Sequence, residues 1–209
     1  MSLILNANDA RAADKFSSAI TESGVYVGTI TRAEKLCSEK MTEGLGISFK
    51  ADDGATANYL DIYTVKENGE RLRGHNIAQA ILCCTKTKEA QEGAIKFERW
   101  DKNAKANVQA TANGYPALMG KRIGFVLQKE LSTNQRTGED VARVNIMAVF
   151  EASTGFTASE ILDKETTPKQ LEKIKLILES KPLRDTRIPV KPQHKDNAPR
   201  QDFDDGINF

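Results

Sequence analysis

KRIGFVLQK (residues 121–129) and ARVNIMAVF (residues 142–150) are the two stretches that decide the fold class. In the first, Ile123, Phe125 and Leu127 alternate with polar or small residues. In the second, alternation places Val144, Ile146, Ala148 and Phe150 on one face. A period of two is typical of strands that are buried on one side. Both stretches therefore predict β-strands, joined by the polar loop 129–140.

Three further strands precede this pair. Residues 24–31 are rich in β-branched and aromatic residues, and residues 45–50 and 57–66 alternate. Residues 76–87 carry apolar side chains at helical spacing, which predicts the one helix of the body. Residues 88–116 hold a polar, Ala- and Asn-rich stretch and are interpreted as a long loop. The order of elements predicts a mainly β protein with α additions: a five-stranded OB-type Greek-key barrel with one helix between strands 3 and 4.

The composition narrows the class of protein. The chain has 209 residues and a formal net charge of +1, so nucleic-acid binding would require a local basic patch. Three Cys and two His show no metal-ligand spacing, so we expect no metal, no cofactor and thiols in a reducing cytosol. There is no apolar run long enough to cross a bilayer and no signal peptide. We expect a soluble cytoplasmic protein without a membrane partner.

The C-terminal quarter, residues 156–209, divides into a helical segment and a polar tail. Residues 157–160 are expected to cap a turn, and Thr167-Pro168 opens a helix that runs to Ser180. Residues 183–209 contain three Pro and many charges, which is typical of a disordered linker. The predicted organisation is an N-terminal extension (1–19), the OB-type domain (20–155), the helical segment (156–182) and the linker with its tip (183–209). We expect the apolar stripe of this helix to pack either on the barrel or on another subunit, so a homo-oligomer is one of the two alternatives.

The charge of the tail changes sign along its length. Residues 183–200 contain five basic and two acidic residues, whereas residues 201–209 contain three Asp and no basic residue. An Ile and a terminal Phe follow the acidic residues, and such a tip suits a small apolar pocket rimmed by Lys and Arg on a partner protein. The predicted partner-binding residues are Asp202, Asp204, Asp205, Ile207 and Phe209.

This tip resembles the acidic C-terminal tip of single-stranded DNA-binding proteins of bacteria and their phages, which commonly ends in Asp-Asp-Asp-Ile-Pro-Phe. Four of the six positions match, while Gly206 replaces an Asp and Asn208 replaces the Pro. The resemblance implies a domain that binds single-stranded DNA without strong sequence preference. It also implies a flexible linker and a tip that recruits replication or recombination proteins. The same anionic tip would occupy the protein's own basic groove until DNA displaces it.

Binding of single-stranded DNA requires basic side chains beside exposed aromatic rings. Three groups in the chain offer this pairing: two tyrosines on the polar face of the third strand, the single Trp in a basic stretch, and cations of the last two strands and their loop. The candidate DNA-binding residues are Tyr59, Tyr63, Lys96, Arg99, Trp100, Lys102, Lys105, Lys121, Arg122, Arg136 and Arg143.

Each group has an alternative interpretation. The tyrosines would instead cover a second small core, Trp100 would anchor its loop to the barrel, and the cations would form an ordinary solvated strand face.

Two other functions stay open. Asp52-Asp53 and Glu139-Asp140 raise the possibility of a metal-dependent nuclease, but both pairs are typical of turns and the chain has no known catalytic motif. We therefore predict no catalytic residues and no enzyme. The nearly neutral body also suits a replication or recombination adaptor that acts mainly through its tail.

Overall fold

The computed structural model describes residues 19–101, 103–134 and 137–187. In this part of the chain the protein is mainly β, with one open sheet of eight strands and three helices. The strands are β1 (Gly24–Cys37), β2 (Glu43–Ala51), β3 (Thr56–Val65), β4 (Gly93–Asp101), β5 (Ala106–Gly114), β6 (Arg122–Thr133), β7 (Asp140–Phe150) and β8 (Leu183–Asp185). The helices are α1 (Arg73–Cys84), α2 (Ala158–Leu162) and α3 (Gln170–Ser180), with a 3-10 turn at Pro116–Leu118.

The long strand β1 is the centre of the sheet. One edge of β1 pairs with β2, which pairs in turn with β3. Its other edge pairs first with β6 and then, through Glu34 and Gly114, with β5 of the β4/β5 hairpin. β6 also pairs with β7 and, in parallel, with β8. β3 contacts β7, but no β-pairing joins these two strands in the described residues, so the sheet is not closed.

The eight strands correct the predicted count of five. β1, β2, β3, β6 and β7 occupy the five predicted positions, and α1 follows the third strand as expected. Residues 88–116, predicted to be a long loop, instead contain the β4/β5 hairpin. The Ala- and Asn-rich composition of β5 hid this strand, because its side chains have low β-propensity while its backbone pairs continuously with β4.

The main core fills the space between the sheet and α1. Phe49 and Phe125 meet edge to face at its centre, with ring centroids 5.1 Å apart. A second, smaller cluster lies on the other side of β6 and consists of Val126, Phe150, Leu171 and Leu178, the last two from α3. The predicted helix at 167–180 therefore packs on the sheet, over the shorter span 170–180.

A bulge in β7 corrects the predicted alternation of that strand. Val126 pairs with Ala148 and Leu127 pairs with Ile146, so Met147 is the extra residue. The bulge inverts the pattern beyond it: Val149 joins Ile146 in the main core, whereas Phe150 joins the smaller cluster.

Regular secondary structure after β7 continues further along the chain than the sequence predicted. The capping box predicted at residues 157–160 is confirmed, since the Thr157 amide donates to Glu160 Oε2 at 2.9 Å and starts α2. Residues 183–185, predicted to begin the disordered linker, instead form β8 against β6. The tip residues from Asp202 to Phe209 lie outside the described residues. None of the described helices is long and apolar enough to cross a membrane.

Candidate functional site

The outer face of β1, β2 and β3 is the candidate site, and two glycines of β2 lie at its centre. Leu45, Ile47 and Phe49 of β2 point into the core, so the alternate residues of β2 point outward. These outward residues are Gly44, Gly46 and Ser48. Their partners across the sheet are Tyr63 and Asp61 on β3 and Leu36, Glu34 and Arg32 on β1. All three outward residues are buried, because the side chains of Leu36 and Arg32 pack over Gly46 and the Tyr63 ring packs over Gly44.

Two tyrosines stand on the β3 side of these glycines. Tyr59 is 61% exposed and Tyr63 is 43% exposed, so the alternative that they cover a second core is wrong. Tyr59 lies in a bulge: Ile47 pairs with Leu60 and Phe49 with Ala57, which leaves two residues of β3 opposite Ser48. Its φ of 61° is in the left-handed region, where a bulky residue is strained. The fold therefore holds a large aromatic ring toward solvent at an energetic cost.

Arg32 lies beneath Tyr59 and was missed by the sequence interpretation. Its guanidinium carbon is 5.1 Å from the centre of the Tyr59 ring and 5.7 Å from that of Phe97 on β4. The side chain is buried, with ion pairs to Glu34 at 3.4 Å and Asp61 at 3.6 Å. The predicted first strand ended at Thr31, whereas β1 continues to Cys37, so no local signal placed Arg32 on the sheet.

Asp61 connects Arg32 with the predicted DNA-binding residue Arg143. Burial raises the pKa of the Asp61 carboxyl, and the charges of Arg32 and Arg143 oppose this shift in part. Arg143 on β7 is exposed and is close enough to act on Asp61 across the seam between β3 and β7. Arg143 is therefore a predicted cation whose charge acts on Asp61, the residue between Tyr59 and Tyr63 on the outer face of β3.

A cleft of about 270 Å³ opens along the same seam, bounded by β3, β7, β8 and the start of α1. Tyr63 and Asp61 line it together with two arginines that the sequence interpretation missed, Arg73 and Arg184. Arg73 donates a long hydrogen bond of 3.4 Å to the Met147 carbonyl, and Arg184 forms an ion pair with Glu130 at 3.4 Å. Residue 184 was assigned to the linker, so only the pairing of β8 revealed its position.

The β4/β5 hairpin carries another group of predicted residues. Trp100 is 56% exposed, so it does not anchor a loop to the sheet. Alternation puts Trp100 on one face of β4 with Lys96 and Glu98, and Arg99 on the opposite face with Phe97. Lys105 lies in the hairpin turn, where the Asp101 carboxylate accepts two backbone hydrogen bonds. Trp100 and Arg99 therefore face different sides. Lys102 lies outside the described residues.

The cations at the start of β6 belong to a different surface. Lys121 and Arg122 line a cleft with Lys86 and Glu151, and none of the tyrosines borders it. Arg122 is paired with Asp52, so its charge is already compensated. Arg136, in the loop between β6 and β7, lies outside the described residues.

No protein-family model matches this chain, and no curated protein matches its sequence. Within the ranges that the structure describes, no group of three His, Cys, Asp or Glu is placed to hold a metal ion. The geometry of the outer face is accordingly the basis for a functional proposal.

Proposed function

We propose that this protein binds single-stranded DNA without strong sequence preference, by stacking bases on Tyr59 and Tyr63. The observation that carries the proposal is that both rings are exposed on the outer face of one strand, β3, next to the buried glycines Gly44 and Gly46 of β2. Base stacking on aromatic side chains tolerates any base, because every base has a π-face. Gly44 leaves room for the Tyr63 ring itself, since a Cβ atom there would lie 3.2 Å from Cδ1 of that ring.

The phosphates would follow the cations at the seam between β3 and β7. Arg143, Arg73 and Arg184 lie around Tyr63 and Asp61 on three different elements. Arginines near exposed aromatic residues form the combination that single-stranded DNA requires. On the hairpin, Arg99 shares the face of Phe97 and would extend this binding surface, whereas Trp100 and Lys96 lie on the opposite face and would form a separate contact with the DNA strand, with Lys105 in the turn between β4 and β5.

The fold would then be an OB-type Greek key with additions. β1, β2 and β3 form a meander, β6 pairs with β1, β7 pairs with β6, and α1 lies between the third and fourth of these five strands. The β4/β5 hairpin is an insertion in that scheme. OB-type barrels are partly open and bind oligonucleotides across strands 2 and 3, which is where Tyr59 and Tyr63 lie.

The tail would recruit other proteins. Asp204, Asp205, Ile207 and Phe209 suit a basic, apolar pocket on a replication or recombination protein of a bacterium or phage. Removal of residues 204–209 is expected to abolish recruitment while it preserves or increases DNA affinity. A deletion that changes neither DNA affinity nor partner binding would contradict the role of the tip.

The direct test is fluorescence anisotropy of labelled oligo-dT with single-stranded and duplex competitors, at low and moderate salt. We expect preference for the single strand, and affinity that falls steeply with salt. Tyr59→Ala and Tyr63→Ala should each lower affinity about tenfold, in keeping with about 1–3 kcal/mol per stacked base. Trp100 is the only Trp, so its fluorescence should report binding at the hairpin.

The outcomes separate the rival functions. If neither the full chain nor the chain without residues 204–209 binds oligo-dT, the DNA-binding proposal fails and a tail-bearing adaptor becomes the better account. If added Mg²⁺ leads to degradation of the oligonucleotide that scales with purified protein, the protein is a nuclease.

A further inference from the structure

One edge of the Arg32 guanidinium lacks hydrogen bonds. Nε and Nη2 are buried and have no hydrogen-bond partner among the residues that the structure describes. The side chain is only 7% exposed, so bulk water does not hydrogen-bond to these donors. A buried donor without a partner costs about 1–3 kcal/mol. Such a cation is retained in a fold when another interaction depends on it.

Electrostatic pairing alone does not account for this placement. The carboxylates of Glu34 and Asp61 are 3.4 and 3.6 Å from the guanidinium nitrogens, at the distances of ion pairs without short hydrogen bonds. The guanidinium also lies within cation–π distance of two aromatic rings, with its carbon 5.1 Å from the centre of the Tyr59 ring and 5.7 Å from that of Phe97. A planar guanidinium stacks on ring faces, whereas an ammonium does not.

Tyr59 needs such support. Its ring is mostly in solvent, and its backbone is in a strained conformation that does not itself fix the side chain. An exposed aromatic residue changes rotamer rapidly unless a neighbour holds it. A base that stacks on a mobile ring must order that ring, and ordering one side chain costs about 0.5–1.5 kcal/mol.

We propose that Arg32 is a positioning residue for Tyr59: the guanidinium supports one face of the ring, so that the other face is presented to a base. The stack would run base, Tyr59, Arg32, Phe97, and it would join β3 to β1 and to the β4/β5 hairpin. This inference rests on the proposed binding of single-stranded DNA. It adds that Arg32 acts only through Tyr59 and contacts neither phosphate nor base.

A double-mutant cycle tests this dependence. Arg32→Lys keeps the positive charge but removes the planar stacking group. We expect it to lower oligo-dT affinity about fivefold in the wild-type protein and in Tyr63→Ala, but less than twofold in Tyr59→Ala. The slope of log affinity against log salt should stay unchanged, because no phosphate contact is lost. Arg143→Lys is the matched control, since Arg143 also acts on Asp61. Its effect on oligo-dT affinity should be the same in the wild-type and Tyr59→Ala backgrounds.

A general structural role would give a different result. Arg32→Lys would then lower affinity by the same factor in all three backgrounds, together with the melting temperature, and the proposal would be overturned. It would also be overturned if Arg32→Lys leaves affinity unchanged in the wild type, because charge alone would then suffice. If Arg32→Lys does not fold, Phe97→Leu removes the far ring of the stack while it keeps apolar packing. For the proposal to hold, the loss of oligo-dT affinity caused by Phe97→Leu must likewise vanish in the Tyr59→Ala background.

The same data distinguish the failure of this inference from that of the proposed function. Loss of affinity in Tyr59→Ala without coupling to Arg32 would overturn only the role of Arg32. Absence of oligo-dT binding by the wild type would overturn both.

Discussion

Arg122 holds the Asp52 carboxylate through two hydrogen bonds, from Nη1 to Oδ1 at 2.9 Å and from Nη2 to Oδ2 at 2.7 Å. The pair joins the start of β6 to the turn after β2, and it holds the pKa of Asp52 below its ordinary value. A guanidinium fork that is filled by a carboxylate is not available to a phosphate. This contact separates Arg122 from the other predicted DNA-binding residues.

The two arginines should therefore differ in their contribution to DNA affinity. Arg143→Gln is expected to lower oligo-dT affinity about three- to tenfold at low salt and to reduce the salt slope by about one. Arg122→Gln should change affinity less than twofold, because it removes a compensated charge. Anisotropy titrations at three salt concentrations measure both quantities. Equal losses for the two variants would contradict the assignment of the site to the β3/β7 seam.

Tyr59 and Tyr63 should respond differently to the same substitution. Asn tolerates the left-handed backbone at residue 59, whereas Tyr63 is in ordinary strand conformation, where Asn is unfavourable. Tyr63→Asn should lower the free energy of unfolding by about 0.5–1 kcal/mol, and Tyr59→Asn should lower it less or not at all. Both should lower oligo-dT affinity about tenfold. Urea unfolding and anisotropy measure the two effects, and a larger loss of stability in Tyr59→Asn would show that its backbone is not strained.

The packing of β6 on β7 leaves no room for a side chain at Gly124. A Cβ atom there would lie 2.1 Å from Cε2 of the Phe150 ring, which is itself buried. Gly124→Ala is expected to lower the free energy of unfolding by about 1–3 kcal/mol, because the ring must move within the smaller core. Gly93→Ala is the control, since the nearest neighbour of its Cβ atom would be a Pro116 side-chain atom at 3.3 Å. Urea unfolding that shows equal stability for the two variants would contradict the packing.

Glu160 should make stability depend on acid pH. Its side chain is buried, which opposes ionisation, but hydrogen bonds from the amides of Thr157, Lys169 and Gln170 outweigh burial and hold the pKa at about 2. The folded-state pKa is below the unfolded value of 4.5, so the ionised group stabilises the fold above pH 4.5. That contribution is lost as the pH falls from 4.5 toward 2.

Thermal unfolding across this pH range measures the effect. Glu160→Gln should be less stable than the wild type at pH 7 by about 1–3 kcal/mol, and its melting temperature should fall less steeply between pH 4.5 and 2. Glu172→Gln, on the exposed side of α3, is the control for the general loss of carboxylate charge. If the melting temperatures of Glu160→Gln and the wild type fall in parallel over this pH range, Glu160 is not the source of the acid dependence.

Several elements were predictable because their signals are local. Alternation over six to ten residues located β2, β3 and β6, and residues 157–160 form the cap that was expected, although the helix α2 that follows Thr157 was not predicted. The same alternation predicted that Tyr59 and Tyr63 point away from the core, and both are exposed.

Other features had no local signal. The β4/β5 hairpin was missed because pairing with a neighbouring strand, rather than the side chains of β5, makes it a strand. The bulge at Met147 was missed because it depends on how β7 aligns with β6. Strand β8 was missed because three residues before a polar, Pro-containing tail carry no strand pattern.

The sequence by itself determined the positions of β1, β2, β3, β6, β7 and α1 and the apolar side of β2, β3 and β6, since these follow from residue periodicity within a few positions. Tertiary structure alone decided the partners of the charged residues. Arg122 meets Asp52 across 70 positions of sequence, and Arg32 meets Tyr59 and Phe97 from different strands. The alternation within a strand predicts the face to which a side chain points, but the register between strands decides which residues that side chain contacts.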